Sequence, residues 1–372
     1  MAHPAPGVAE PGRLVRADDI GLAGGAIRPH GSRRLPRPVD LEFALRSVPL
    51  LRSAAVLLFG ALVLTGCGDS DDSKDDKTQG TPAASGAGTG SGPDAKAFPV
   101  TVDSGGAKVT IPAAPKKIVS LAPTATEMLY AIGAGGQVTA VDDQSNFPAN
   151  APKTKLSGFK PNVEAISNYT PDLVVTTDDA DGVVAALNKL RIPVVLTPAA
   201  KTFDDSYAQL NTLGAATGHS REAGEVATKM RADIAAVVAA TPKPAKPLTY
   251  FHELDNTLFT STSKTFIGQV YAQFGLKNIA DEADKSGSGY PQLSAEALVQ
   301  ADPDLIFLAD AKGGGQSAET VAKRPGWDRL KAVRGGGVVA LDDDIASRWG
   351  PRVVELVRAV ADAVTKAGAA KS

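Results

Sequence analysis

The stretch Lys117-Ile118-Val119-Ser120-Leu121-Ala122-Pro123-Thr124-Ala125-Thr126-Glu127 decides the class of fold. Residues 118–121 form a short apolar run rich in β-branched side chains, which predicts a buried strand. The motif at 124–127 matches a capping box, with a threonine at the helix start and a glutamate three positions later. A helix that begins directly after a strand presents free N–H groups at the edge where open α/β sheets bind ligands. A helix cap without a ligand is the alternative.

Similar runs recur along the chain and alternate with helical patterns. They occupy residues 138–141, 173–176, 194–197, 248–251, 305–309 and 338–341. This alternation predicts parallel sheets covered by helices. Residues 216–244 carry one long helical pattern, with Ser220 as the expected N-cap and with Pro242 and Pro244 after its end. One apolar stripe runs along this helix: Ala223, Val226, Ala227, Met230, Ile234, Val237 and Val238. The sequence therefore predicts an α/β chain with a first lobe at 98–215, a connecting helix at 216–244 and a second lobe at 245–372.

An internal repeat supports the two lobes. The segment Glu164-Ala165-Ile166, followed by Pro171-Asp172-Leu173-Val174-Val175, returns 132 positions later as Glu296-Ala297-Leu298 and Pro303-Asp304-Leu305-Ile306-Phe307. Each copy predicts a helix that starts near the glutamate, a Pro-Asp turn and a buried strand.

The N-terminal region has the pattern of a lipoprotein signal peptide. Arg46 and Arg52 precede an uncharged apolar run at 54–64, which ends in Leu64-Thr65-Gly66-Cys67. The run would form only about 16 Å of helix, too short to span a bilayer. The tetrapeptide resembles the bacterial lipobox, which implies that residues 1–66 are an N-terminal extension with a signal peptide and that Cys67 is acylated. A buried free cysteine is the alternative. Residues 67–97 lack large apolar side chains after the cysteine and predict a disordered tether.

Composition excludes several classes of protein. Lys and Arg number 39 against 41 Asp and Glu, so the formal net charge is −2 and no basic excess indicates nucleic acid. Hydrophobic residues make up 43% and charged residues 22%, which is typical of a globular chain. One cysteine cannot supply a disulfide framework or a thiolate metal site.

Enzyme signatures are incomplete. His252-Glu253-Leu254-Asp255-Asn256 begins like a zinc-protease helix but has Asn256 where the second histidine is required. After Cys67 the chain has only His219 and His252, and no Gly-x-Ser-x-Gly motif is present. We expect His219 to be exposed at a turn, and His252 to lie just after a strand, where it would face the cleft or bind haem iron.

Several motifs together resemble one family over residues 98–366. They are the stretch 117–127, the segment 171–175, Thr265-Phe266-Ile267-Gly268, Tyr290-Pro291-Gln292-Leu293-Ser294-Ala295-Glu296 and Ser347-Arg348-Trp349-Gly350-Pro351-Arg352. They closely resemble the iron-complex and cobalamin substrate-binding proteins of ABC importers. The resemblance implies two Rossmann-like lobes joined by a single long α-helix, with the ligand in the cleft between the lobes.

The resemblance also implies the site residues. The ligand-binding positions are Phe147, Phe159, Phe259, Tyr290, Asp344 and Arg348. Aromatic faces would cover a large ligand, and Arg348, oriented by Asp344, would pair with its anionic oxygens. Arg352 is expected on the outer face of the last helix. Glu164 and Glu296 match the glutamates that dock on arginines of the dimeric permease; complementing the helix dipole is the alternative role.

The function expected from the sequence is therefore transport without chemistry. The chain is predicted to be a lipid-anchored, extracytoplasmic monomer without cofactor or catalytic residues. It would deliver a cobalamin-like corrinoid or a ferric siderophore to an ABC permease dimer with its ATPase subunits. A haem-binding uptake protein and an α/β hydrolase are the alternatives.

Overall fold

A computed structural model of the chain describes Asp94 and residues 97–369, which belong to one compact unit. The signal peptide, Cys67 and most of the predicted tether lie outside the described residues. Among the described helices, none combines the length and apolar character that crossing a membrane requires.

Two parallel sheets of four strands each carry the fold. The first sheet has the order β4-β3-β5-β6, with β3 (Ile118–Ser120), β4 (Val138–Val141), β5 (Leu173–Thr176) and β6 (Val194–Leu196). The second has the order β10-β9-β7-β8, with β7 (Thr249–Glu253), β8 (Lys277–Asn278), β9 (Leu305–Leu308) and β10 (Val338–Ala340). The α/β prediction is confirmed, and all seven predicted runs form strands.

Helices connect and cover these strands. The first half contains α1 (Pro123–Ala131), α2 (Val163–Ser167), α3 (Val183–Lys189) and α4 (Phe203–Thr217). The second half contains α6 (Phe266–Ala272), α7 (Ala295–Ala301), α8 (Ala318–Ala322), α9 (Lys331–Arg334), α10 (Asp343–Ala346) and α11 (Val353–Ala369). Between the halves stands α5 (Ser220–Ala240). The two sheets fall within the predicted lobes, whose boundaries stay predictions.

The internal repeat corresponds to equivalent elements of the two halves. In each sheet the strands are ordered second, first, third, fourth in chain order. Helix α2 precedes β5 and helix α7 precedes β9, which are the third strands of their sheets. The repeated sequence therefore marks the same helix and strand in two copies of one topology.

Helix α5 follows the predicted stripe but begins differently. Ala223, Ala227, Met230 and Ile234 are buried along it, as the sequence predicts. Its N-cap residue is His219 rather than Ser220, and no side chain caps it. The expectation that His219 is exposed is wrong, because the side chain is only 3% exposed.

Helix α1 corrects the capping box. It begins at Pro123, after an N-cap at Ala122 that makes no side-chain cap bond. Proline suits the first helical position because its missing N–H would have no intrahelical partner. Glu127 is consequently free of the capping role, and its carboxylate binds two arginines instead.

An antiparallel hairpin of β1 (Val100–Ser104) and β2 (Ala107–Ile111) precedes the first sheet. Its turn is Gly105-Gly106, with φ of 60° and 88°, a backbone region that glycine occupies readily. The Leu196 N–H donates to Ser104 Oγ at 2.8 Å, which fastens the hairpin to β6.

The apolar core is shared by the two halves. One buried cluster includes Ile118 and Met128 from the first half and Phe307 and Val357 from the second. Phe203 in α4 also meets Phe266 in α6 edge to face, with ring centroids 5.3 Å apart. Dense packing of this kind resists relative movement of the elements that share it.

Candidate ligand-binding site

A cavity of about 390 Å³ lies at the carboxyl edge of the first sheet. Both lobes line it: Leu121, Ala122, Pro123, Thr124, Asp142, Gln144, Gly158, Phe159, Thr177 and Asp178 from the first, and Asp344, Ser347, Arg348 and Trp349 from the second. Leu121, Asp142 and Thr177 directly follow β3, β4 and β5. The cavity thus lies where strand ends of a parallel sheet gather, as predicted from residues 117–127.

Arg348 forms a buried part of the cavity wall and is 8% exposed. Its Nη1 donates to Glu127 Oε1 at 2.8 Å and to Asn146 Oδ1 at 3.0 Å. Its Nη2 donates to the Gln144 carbonyl at 3.2 Å and to Asp344 Oδ1 at 2.7 Å. Asp344 therefore orients the guanidinium, as expected, but four of the five guanidinium N–H groups already have protein partners.

Arg352 does not lie on the outer face, and that expectation is wrong. Its Nη1 lies 3.2 Å from Glu127 Oε1, and its guanidinium carbon stands 4.3 Å from the centroid of the Phe147 ring. The last helix, α11, begins at Val353, so Arg352 precedes it. The arginine side chain extends toward α1, where its Nη1 donates a hydrogen bond to the buried Glu127 carboxylate. Arg348 and Arg352 thus share one acceptor.

Glu127 is the buried centre of this cluster and is 3% exposed. Burial raises the pKa of the Glu127 carboxyl, and the hydrogen bonds and charges of Arg348 and Arg352 oppose that shift. Its Oε2 atom is buried without a hydrogen-bond partner among the described residues. The sequence motifs did not identify Glu127, Gln144 or Asn146 as neighbours of Arg348, because these contacts join residues about 200 positions apart.

The four aromatic residues predicted for the ligand are all exposed to solvent: Phe147 by 42%, Phe159 by 80%, Phe259 by 41% and Tyr290 by 47%. Only Phe159 lines the cavity. The residue before it must be glycine, because a Cβ at Gly158 would lie 2.3 Å from the Leu121 carbonyl oxygen. This close approach of the two backbone segments brings Phe159 to the cavity. Phe259 pairs across an antiparallel β-bridge with Gln292, two residues after Tyr290.

Glu164 and Glu296 occupy matching positions on the two lobes. Each lies exposed in the first turn of its helix, after an N-cap residue whose side chain caps the helix: Asn162 before α2 and Ser294 before α7. Both glutamates therefore lie at the start of the helix that precedes the third strand of their sheet. They do not line the cavity.

His252 does not face the cleft, so its interpretation as a haem ligand there is wrong. It lies within β7, is fully buried, and its Nδ1 is 2.7 Å from the Tyr271 hydroxyl. Burial lowers the pKa of His252 to about 3. A neutral imidazole in the core of the second lobe serves packing rather than ligand capture.

Two other cavities lie at the opposite edge of the second sheet. One of about 400 Å³ is bordered by residues 335–339 and α11, and one of about 910 Å³ by residues 242–248 and the end of α11. Both lie beside Asp304 and Lys331, where strands begin rather than end. They contain none of the residues predicted to bind ligand.

A buried carboxylate beside the second sheet should limit stability at neutral pH. Asp310 is 7% exposed, and neither carboxylate oxygen has a hydrogen-bond partner in the described part of the chain. Burial, followed by the charge of Glu253, raises the pKa of Asp310 from 3.8 to about 6. The folded state therefore binds a proton at Asp310 more tightly than the unfolded state does. Protonation of Asp310 stabilises the folded state at low pH, and this stabilisation is lost as the pH rises through about 6.

Asp310→Asn is expected to raise the free energy of unfolding at pH 7.5 by about 1 kcal/mol, because it removes an unpaired buried charge. At pH 4 the gain should largely vanish, since Asp310 is protonated there in the folded protein. Thermal unfolding at both pH values measures the difference, with exposed Asp328→Asn as the control. A thermal unfolding midpoint of Asp310→Asn at pH 7.5 that equals or falls below that of the parent would contradict the prediction.

Comparison with known proteins agrees with the fold. A model of the periplasmic binding protein family matches residues 118–345. The chain is 32% identical, over 83% of its length and 95% of the relative, to the uncharacterized ABC transporter substrate-binding lipoprotein YvrC of Bacillus subtilis. It is 31% identical to the cobalamin-binding protein of Halobacterium salinarum, covering 72% of this chain and 74% of that one.

A solved structure of a periplasmic binding protein is also similar to this chain. The periplasmic vitamin B12 binding protein BtuF of Vibrio cholerae superposes with a TM-score of 0.57 and 25% identity, covering 70% of this chain and 99% of that one. Two similar α/β lobes with a cavity between them define a class of proteins that capture solutes. The chain belongs to the periplasmic binding protein family, which confirms the resemblance drawn from the motifs.

Proposed function

We propose that the chain is an extracytoplasmic solute-binding lipoprotein that captures a cobalamin-like corrinoid and delivers it to the permease of an ABC importer. The observation that carries this proposal is the charge of the cavity between the lobes. The names of the relatives, a substrate-binding lipoprotein and two proteins that bind cobalamin or vitamin B12, support the same choice.

The cavity offers more negative than positive charge to a ligand. Among the described residues that line it, three are acidic, Asp142, Asp178 and Asp344, and one is a cation, Arg348. That cation is already paired with Asp344 and Glu127. An anionic complex such as ferric citrate or a ferric catecholate would meet uncompensated carboxylates, and like-charge contact across an interface is unfavourable.

A neutral ligand rich in amides suits the same wall. Corrinoids carry amide side chains around the ring, and amide N–H groups donate to carboxylate and carbonyl oxygens. A corrinoid is larger than the 390 Å³ cavity, so it would enter only in part. The exposed rings of Phe147, Phe159, Phe259 and Tyr290 would cover the remainder with apolar surface.

The alternatives have less support from the residues at the site. No histidine is among the described residues that line the cavity, so none offers a haem ligand or a serine-activating base there. His219 and His252 are both buried elsewhere in the described chain. A ferric siderophore differs from a corrinoid in its visible absorption, and the binding experiments distinguish the two.

Delivery requires an anchor and a docking surface. Cys67 would carry the lipid on the extracytoplasmic face of the cell membrane, and the tether would keep the lobes near the permease. Glu164 and Glu296, one on each lobe, would contact the two halves of the permease dimer. The protein would act as a monomer without cofactor or chemical step, leaving ATP hydrolysis to the transporter's ATPase subunits.

Native mass spectrometry of the protein purified from its own organism tests the ligand assignment. The expected result is one corrinoid per chain, with the visible absorption of a corrin ring. A ferric charge-transfer band or a haem Soret band in the purified protein would contradict it.

A further inference from the structure

Residues 344–352 of the second lobe are fastened to the first lobe at several points. Asn146 Nδ2 donates to Asp344 Oδ2 at 2.8 Å. Trp349 Nε1 donates to Gln209 Oε1 at 2.8 Å, and the Trp349 carbonyl accepts a hydrogen bond from the Ser206 hydroxyl. This segment also supplies the cavity wall, so its attachment decides the shape of the site.

Glu127 is the most deeply buried charged group among these attachment points. It extends from α1 of the first lobe and receives Nη1 of both Arg348 and Arg352 from the second lobe, at 2.8 and 3.2 Å. Its partners are 8% and 18% exposed, so water screens these ion pairs weakly. We call Glu127, Arg348 and Arg352 the Glu127 clamp.

We propose that Glu127 is a positioning residue of the binding site: the Glu127 clamp sets the spacing of the two lobes and holds Arg348 in the cavity wall before a ligand arrives. The ligand part of this inference rests on the proposed function, whereas the spacing part does not. Arg348 thus acts mainly by shaping the wall, because most of its donors are already engaged.

Breaking the Glu127 clamp is unfavourable because it leaves the guanidinium groups of Arg348 and Arg352 without their carboxylate partner. Without the Glu127 carboxylate, two poorly exposed guanidinium groups lose their shared acceptor, and buried unpaired charge is unfavourable. The least costly response is for the 344–352 segment to move toward solvent, since Arg352 is already partly exposed. That movement would widen the cleft and displace Arg348, Trp349 and Asp344 from the cavity wall.

Pulsed electron paramagnetic resonance between two spin labels measures the lobe spacing directly. The full chain with Cys67→Ser would carry labels at Lys189→Cys in α3 and Gln300→Cys in α7, both exposed. The parent should give one narrow distance distribution that cyanocobalamin leaves in place. Glu127→Ala should broaden it and lengthen its mean, and Glu127→Gln, which keeps the shape and one acceptor oxygen, should lie between.

Glu355→Gln is the matched control. Glu355 lies 3.6 Å from Arg352 Nε but is half exposed and contacts neither Arg348 nor the first lobe through that ion pair. It should leave the distance distribution unchanged. A folded Glu127→Gln protein with the parent's distribution would overturn the proposal, and this variant decides the matter if Glu127→Ala fails to fold.

Binding of cyanocobalamin, followed by tryptophan fluorescence, is the second readout. Glu127→Gln should weaken binding about tenfold, and Glu355→Gln should not change it. Unchanged affinity in Glu127→Gln would also overturn the role in positioning. If the parent itself does not bind cyanocobalamin, the proposed function fails, while the distance measurement still decides whether the clamp sets the lobe spacing.

Discussion

Replacing Glu164 and Glu296 together by arginine should stop uptake into cells while the purified variant keeps its ligand affinity within a few-fold. Both side chains are exposed at the starts of equivalent helices and lie outside the cavity wall. If these glutamates form the proposed docking surface, reversing both charges turns attraction to permease arginines into repulsion, which affects association and register rather than the cleft.

Uptake of labelled cyanocobalamin by cells that carry the variant measures this effect, together with titration of the purified protein. Glu319→Arg is the matched control, because Glu319 is also exposed in the first turn of a capped helix, α8, but lies outside the internal repeat that contains Glu164 and Glu296. Uptake should persist in the control. An equal loss of ligand binding in the purified double variant would place the two glutamates in the binding site instead.

Cys67→Ala should release the protein from the membrane, because the chain contains a single thiol to which lipid can be attached. Fractionation of cells and the size of the precursor report the outcome, and inhibition of the lipoprotein signal peptidase should also leave the precursor uncleaved. Ser70→Ala, three residues further on, serves as the control. Membrane association and precursor size that survive Cys67→Ala would contradict the lipoprotein assignment.

Local sequence patterns predicted most of the strands and the repeat. A buried parallel strand needs a continuous apolar run, and seven such runs are visible in the sequence. Strand β8 was missed because it has only two residues, Lys277–Asn278, and neither is apolar. The start of α1 was misplaced because Pro123 suits the first helical position and overrides the threonine at 124.

The candidate site was predictable only where its contacts are local. Asp344 and Arg348 are four residues apart, so their pairing follows from the chain itself. Glu127 and Arg348 are separated by 221 positions, and no local pattern indicates that they meet. The same limit explains Arg352: the sequence predicted an outward side chain, whereas the structure pairs it with the carboxylate of Glu127 from the other lobe.

Direct titration of the purified full chain with cyanocobalamin, by equilibrium dialysis, tests the central claim that the cavity between the lobes captures a corrinoid. The account predicts saturable binding of one molecule per chain, unaffected by an excess of ferric citrate or haemin. Saturable binding of ferric citrate or haemin by a protein that leaves cyanocobalamin free would contradict it.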